Sequence, residues 1–276
     1  MSQKQCEMCA AFARLHEGPG AFVIPNPFDV GSALYLASLG FKAVATSSAG
    51  AAWTMGRADL HASRDMILAH IRAVADAVDV PVNADYEACY GANEDEVSES
   101  VRLCVEAGVA GLSIEDFGTG GAFYSREEAL SRMKAARDAI RATGTKVLLA
   151  ARSEAVLHGH PGGLKEAVAR LELFAAEGAD VLYAPGLRTI DDVKLVVRAV
   201  APRPVNVLAS MPFFTLRQLE DAGVRRVSVG SSLARSAWGG FMRAAQEIAA
   251  HGTFEAFSQG ASYAELNALF AKRGGG

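Results

Sequence analysis

No stretch of about 18 uninterrupted apolar residues occurs in the 276-residue chain, so no membrane-spanning helix is expected. The first twenty residues, MSQKQCEMCAAFARLHEGPG, are broken by charges and hold no apolar block, which argues against a secretory signal. Positive charge is not in excess either. The 27 Lys and Arg are outnumbered by 31 Asp and Glu, for a formal charge of −4 and a pI near 5.9. That excludes the basic stripe of a nucleic-acid binder. Cysteine is sparse, at Cys6, Cys9, Cys89 and Cys104. Cys6 and Cys9 have CxxC spacing, but a zinc site would need a second ligand pair, and no second CxxC exists. A redox CxxC would follow a strand, whereas this one lies in an amphipathic N-terminal helical pattern. Unpaired structural cysteines in a reducing, cytoplasmic compartment are expected. No linker rich in Pro, Gly or Ser divides the chain, so residues 1–276 are expected to form one domain.

What is present is a repeated alternation. Short β-branched runs start at 21 (AFVIPN), 43 (AVATSS), 80 (VPVNADYE), 111 (GLSIEDF), 146 (KVLLAARSE), 180 (DVLYAPG), 203 (RPVNVLAS) and 225 (RRVSVGSS). Amphipathic stretches such as SRDMILAHIRAVADAV and SREEALSRMKAARDAI separate them. Leu39-Gly40, Ala107-Gly108, Glu177-Gly178 and Ala222-Gly223 each place a glycine where a helix hands over to a strand, as a C-cap does. The runs are apolar on both faces, as in strands covered by helices. Eight strand–helix units predict an α/β fold of the (β/α)8, or TIM-barrel, type. A doubly wound sheet is the runner-up. A helix over about residues 1–17 is expected to precede the barrel. A helical tail over about 251–276, containing SYAELNALFAK and a Gly-rich end, is expected to follow it.

Barrel chemistry sits at the C-terminal ends of the strands. Those ends offer Asn26, Thr46-Ser47-Ser48, Asp85 and Glu87, Glu115-Asp116, Arg152 and Glu154, Asn206, and Gly230-Ser231-Ser232, with Asp59 in the loop after the second run. Asp85 and Glu87 are one residue apart, which strand alternation would place on one face. Two such carboxylates repel unless a proton or cation lies between them. Clustered acids suit a hard divalent cation, most simply Mg²⁺, with Mn²⁺ as a substitute. An arginine beside them suits a substrate carboxylate. Each residue also has a plainer reading. Asp59 would cap the helix that begins near Ser63, and Arg152 would be an ion-pair partner for Glu115-Asp116. Ser47-Ser48 would be a turn, Gly230-Ser231-Ser232 an N-cap, and His158-Gly-His160 a surface loop.

The same segments carry a resemblance. NPFDVGSALYLASLGFKAVATSSAG, GRAD, PVNADYEACYG, AGVAGLSIEDF, AARSEA, EGADVLYAPGL, RPVNVLAS and GVRRVSVGSSLAR, in order from about residue 15 to about residue 270, resemble the isocitrate lyase / phosphoenolpyruvate mutase superfamily. The resemblance implies an Mg²⁺-dependent barrel enzyme that makes or breaks C–C or P–C bonds beside the carboxylate of a 2-oxo acid. It implies Asp85 as the direct metal ligand, with Glu87, Glu115 and Asp59 holding metal waters. It implies Arg152 on the substrate carboxylate, Ser47, Ser48 and Ala49 as substrate-gripping donors, and Asn206 as a further substrate contact. It also implies a homotetramer in which the last barrel helix is exchanged between paired subunits.

The chain departs from the family in three places. After the fourth strand, lyase members carry a Lys-Lys/Arg-Cys-Gly-His loop with the acid–base cysteine. Here DFGTGGAFYSREE contains no cysteine, histidine or lysine. Pro185 stands where the mutase has a histidine, and Cys89 replaces a glycine. The expected activity is therefore lyase-type chemistry on a small 2-oxo acid, either decarboxylation or C–C cleavage through a metal-bound enolate. A phosphonate P–C mutase or hydrolase is the alternative, and a non-catalytic 2-oxo-acid-binding barrel is a reading of another class.

Overall fold

The structure is a computed structural model that describes residues 2–118 and 120–271. Thr119 and the last five residues, with the Gly-rich end, lie outside the described residues. Eight strands alternate with helices. The strands are β1 (Phe22–Ile24), β2 (Val44–Ala45), β3 (Val82–Ala84), β4 (Gly111–Glu115), β5 (Leu148–Arg152), β6 (Val181–Tyr183), β7 (Val205–Leu208) and β8 (Arg226–Ser228). The helices are α1 (Gln3–Glu17), α2 (Val30–Ser38), α3 (Ser48–Thr54), α4 (Arg64–Ala77), α5 (Glu94–Glu106), α6 (Arg126–Ala142), α7 (Gly163–Ala176), α8 (Ile190–Val200), α9 (Leu216–Asp221), α10 (Ser232–His251) and α11 (Tyr263–Ala271). All strand pairs are parallel, and β1 pairs with β8 in the register Phe22↔Arg226. The seam between β1 and β2 is crossed by the Ala45 amide, which donates to Pro25 O at 3.0 Å. A doubly wound sheet has no such return of the first strand to the last, so the (β/α)8 barrel is the fold.

Local chemistry explains the regularity. Ser2, Asp29, Ser63, Asn93, Ser125, Thr189 and Thr215 each cap a helix N-terminus with a side-chain oxygen. The four expected glycine hand-overs hold. Gly108, for example, has φ +93° and Gly223 has φ +87°, in the left-handed region where a side chain costs most. Between strands and helices lies an apolar shell that includes Ile71, Val101, Met133, Leu171, Val196 and Leu219, each at most 1% exposed. No described helix is long and apolar enough to cross a membrane.

The lumen of the barrel is polar. Arg226 donates to Asn206 Oδ1 (3.0 Å) and Asn83 Oδ1 (3.3 Å), and Asn206 donates to Ser228 (2.9 Å). Burial pulls the Arg226 pKa down to about 10. Helix α1 seals the N-terminal end. The Phe12 ring fits so tightly that a Cβ on Gly111 would meet it at 2.6 Å. Gln5 ties α1 down by donating to Val105 O (2.7 Å) and Val109 O (3.1 Å).

Candidate active site

Strand β3 ends at Ala84, and the chain then enters a strained turn. Glu87 (φ +47°), Cys89 (φ +61°) and Tyr90 (φ +55°) all have left-handed backbones without being glycine. Each such residue costs on the order of 1–3 kcal/mol, and clustered strain of this kind marks a site whose geometry is imposed by its surroundings. Strand alternation therefore does not bring Asp85 and Glu87 together, contrary to the sequence expectation; the turn does. Arg132 of α6 holds that turn by donating to Ala88 O (2.9 Å) and Gly91 O (2.7 Å), and Tyr124 stacks 4.3 Å from its guanidinium. Glu115 N donates to Glu87 O at 2.9 Å, fastening the turn to β4.

At the C-terminal mouth the carboxylates gather around one guanidinium. Arg152 Nη1 lies 2.9 Å from Glu115 Oε1 and 3.4 Å from Asp85 Oδ1, its Nε bonds Glu154 Oε1, and its plane sits 5.0 Å from the Tyr183 ring centroid. The other oxygen of Asp85 accepts from Ser48 N and Ser48 Oγ, both at 3.0 Å, and Thr46 Oγ1 accepts from Asp85 N at 2.9 Å. Asp59 is exposed at the rim. Even so, the protein packed around its carboxylate, and then the charge of Asp85, raise its pKa. Glu87 is 3% exposed and its Oε2 has no hydrogen-bond partner. The Tyr90 hydroxyl leans on this carboxylate and lowers its pKa somewhat, but the two are not aligned as a hydrogen bond. Burial, with Asp85 and Asp59 adding to it, pushes Glu87 up to about 7. Burial raises Glu115 well above the ordinary value, against the pull of Arg152. Glu154 is the exception. Burial would raise it, but Arg152 and His158 outweigh that and hold it low.

The structure brings Asp59, Asp85, Glu87, Glu115 and Arg152 to one mouth, but it sorts the other expected residues differently. Ser63, not Asp59, caps α4. Ser47 is buried and caps α3 by accepting from Gly50 N at 3.1 Å. Ser48 orients Asp85, and Ala49 stands half-buried beside it. Asn206 is 1% exposed, and both ends of its amide are engaged by Ser228 and Arg226. That partnership places it in the polar lumen rather than among the mouth donors. Asp116 is structural, accepting from Glu154 N (2.7 Å) and Arg170 (3.2 Å). Ser231 makes no side-chain cap on α10. Instead, Asn26 gathers the amides of Val229 and Gly230, both at 2.9 Å. Cys89 is fully buried, and burial pushes its thiol up, which fits a space-filling side chain.

In the sequence Glu154 stands at the strand end without a role, and His158 reads as surface loop because it lies beyond that end. Glu154 links Arg152 to His158, whose Nε2 lies 3.3 Å from Glu154 Oε2. His158 stacks on Phe117 at 4.2 Å and 6°. The signal in the sequence is a histidine four residues after the acid of an arginine–acid pair.

The donor set fits a hard cation. Among the described residues no three acids, histidines or cysteines converge into a ready-made cage. Mg²⁺ does not need one, because it binds through one or two carboxylates and keeps several waters. Three carboxylates in contact with one guanidinium and two more near it, with an unpartnered buried oxygen on Glu87, leave room for further positive charge. Two clefts lie outside the barrel, one of about 780 Å³ beside α1 and α5 and one of about 1250 Å³ between α2 and α11. The acids of the first, Asp76, Asp95, Glu99 and Glu106, are exposed to water, and Glu99 and Glu106 are paired with Arg102, so they form no buried cluster.

Comparison with known proteins decides the lineage. The family model described as phosphoenolpyruvate phosphomutase matches residues 12–249. The chain belongs to that family. An uncharacterised protein of Mycobacterium tuberculosis is 31% identical over 94% of this chain and 95% of its own length. The 2-methylisocitrate lyase of Escherichia coli is 28% identical over 73% of this chain and 71% of its own. An oxaloacetate decarboxylase of Paraburkholderia xenovorans is 30% identical over 63% of this chain and 59% of its own. A solved structure of a putative lyase/mutase from Burkholderia cenocepacia superimposes with a TM-score of 0.93, at 42% identity and 98% coverage of both chains. The family member is thus an enzyme of the superfamily that holds isocitrate-lyase-like lyases and phosphonomutases.

Proposed function

We propose that this family member is an Mg²⁺-dependent lyase-type enzyme acting beside the carboxylate of a small 2-oxo acid. Decarboxylation of an oxaloacetate-like acid is the reaction that suits the mouth best. The observation that carries the reading is the imbalance of charge around Arg152, with Glu87 Oε2 buried and unpartnered. Asp85, held by Ser48, would be the direct ligand, and Glu87, Glu115 and Asp59 would hold the cation's waters. Mg²⁺, when bound, supplies Lewis-acid polarisation of the keto oxygen. Arg152 offers its fork to the substrate carboxylate, steadied by the ring of Tyr183 and by Glu154. Loss of CO₂ leaves an enolate that needs no acid at the moment the C–C bond breaks. That makes the least demand on a loop after β4 without cysteine, histidine or lysine. Oxaloacetate is also the substrate named for one relative.

The test is a calorimetric Mg²⁺ titration followed by a turnover panel of 2-oxo acids, 2-methylisocitrate and phosphonopyruvate. Wild-type protein is expected to bind Mg²⁺ and Asp85→Ala to lose that binding with the fold intact. Unchanged affinity in the variant would remove Asp85 as the ligand. Oxaloacetate turnover with negligible methylisocitrate cleavage is expected. Turnover confined to phosphonopyruvate would install the P–C reading, and 2-oxo acid binding without turnover would install the non-catalytic one.

We also propose a homotetramer with helix exchange. The eighth barrel helix ought to cover the strands that precede it, yet Ala234 is the one buried residue of α10. Trp238, Phe241, Met242 and Ile248 are exposed, as are Tyr263 and Leu266 of α11.

A further inference from the structure

We propose that His158 is the group that moves a proton at C3 of the bound 2-oxo acid, with Nδ1 as the transferring atom. The inference rests on the 2-oxo acid reading above and deepens it. The loop after β4 supplies no cysteine, histidine or lysine, and its Asp116 is taken up by Glu154 N and Arg170, but the loop after β5 brings an imidazole beside it. His158 stacks flat on Phe117, the second residue of that β4–α6 loop, at 4.2 Å. The stack on one face and the Glu154 carboxylate 3.3 Å from Nε2, a contact not aligned as a hydrogen bond, flank the ring on two sides. Its side chain is 38% exposed, so it is open to water. It is also close enough to Asp59, on the opposite rim, for each charge to act on the other.

The tautomer follows from the partner. Glu154 is buried, held as a carboxylate by Arg152, and can only accept. With Nε2 3.3 Å from Glu154 Oε2, which has no other partner, the field of Glu154 favours the proton on Nε2 and leaves the lone pair of the neutral imidazole on Nδ1. The charged groups that face the ring are Glu154 from the end of β5, with Arg152 behind it, and Asp59 across the mouth. Phe117 brings no charge. Together they give an acid–histidine pair in which the acid also steadies the substrate-binding arginine. The step balances simply. Nδ1 takes a proton from C3 of the 2-oxo acid, the C–H electron pair becomes the enolate, and imidazolium remains beside Glu154. In reverse, the Nδ1–H bond breaks, its proton forms C–H with the enolate pair, and neutral imidazole is restored.

The test has three arms. In ¹⁵N-histidine-labelled protein without metal, His158 should show the Nε2–H tautomer; an Nδ1–H tautomer would overturn the proposal. On adding Mg²⁺ and oxalate, a planar mimic of the pyruvate enolate, the His158 ring signals should shift. Oxalate bound by calorimetry with those signals unmoved would sink the His158 assignment and leave the 2-oxo acid reading standing. Failure of oxalate to bind at all would sink both. The last arm is exchange of pyruvate methyl protons in D₂O. His158→Gln keeps a donor to Glu154 but no titrating nitrogen. It should slow exchange by about 10²–10⁴-fold, the usual worth of a proton-transfer group, with oxalate affinity within about threefold and CO₂ release from oxaloacetate much less affected. If His158→Gln exchanges at the wild-type rate while His158→Ala loses oxalate affinity, the histidine only positions Arg152 and the proposal fails.

Discussion

Glu87 shows how much a single residue can cost when its partner is a cation. Its carboxyl is buried and pushed from an ordinary 4.5 to about 7. Below pH 4.5 folded and unfolded chains both hold this proton. Between 4.5 and 7 the unfolded chain releases it first, so stability falls as pH rises through that window and is lowest above it. At 1.36 kcal/mol per pH unit the loss approaches about 3 kcal/mol. Glu87→Gln should therefore melt several degrees above wild type at pH 8 in EDTA and level with it at pH 4. It should also weaken Mg²⁺ binding. Equal melting temperatures at pH 8 would show that the carboxylate is already compensated. Arg152 is the complementary case. Arg152→Lys keeps the charge but loses the fork that now spans Glu154, Glu115 and Asp85. A loss of oxalate affinity of about tenfold or more is expected by calorimetry, and unchanged affinity would make Arg152 purely an ion-pair partner. Asp85, Glu115 and Arg152 were legible in the sequence because each directly ends an apolar run. The aim of Glu87 was not. It depends on three left-handed residues, none of them the glycine that normally announces such a backbone.

At the scale of elements, the eight units could be read because each carries its own punctuation, a polar cap before the helix and a glycine after it. What an element packs against carries no such local mark. Helix α1 was legible as a helix over about 1–17, but not as the plug of the barrel. The match between Phe12 and Gly111 spans about a hundred residues and shows only in three dimensions. The Phe12 ring is fully buried, with His16 and Phe22 edge-on around it. Phe12→Ala should destabilise the fold by about 3–5 kcal/mol, the usual cost of deleting a buried ring. Urea unfolding would measure it. A loss under about 1 kcal/mol would mean that α1 is a loosely attached arm, not a seal. Because the plug closes the end opposite the catalytic mouth, Mg²⁺ affinity measured well below the denaturation midpoint should stay at the wild-type value.

The whole molecule poses a problem that one chain leaves open. A barrel needs helices all around it, and α10 lies after β8 where it would complete the ring. With Phe241 64% exposed and Trp238, Met242 and Ile248 beside it on the surface, α10 presents an apolar face that a monomer would hold in water. The short α11 adds Tyr263, 86% exposed, and buries no residue of its own. Exchange of α10 between two barrels would cover both faces at once, since a twofold pair contributes the same patch from each side. Pairing of such dimers would give a particle of about 116 kDa from chains of 28.9 kDa. Sedimentation equilibrium is expected to return that mass for wild type. Phe241→Glu puts a charge at the centre of the patch, where an unpaired buried charge costs several kcal/mol. It should shift the population to smaller species at micromolar protein, while circular dichroism shows the barrel intact. A monomeric wild type would overturn the exchange and would leave the apolar face of α10 in need of another partner. A tetramer indifferent to Phe241→Glu would keep the assembly but move its interface elsewhere.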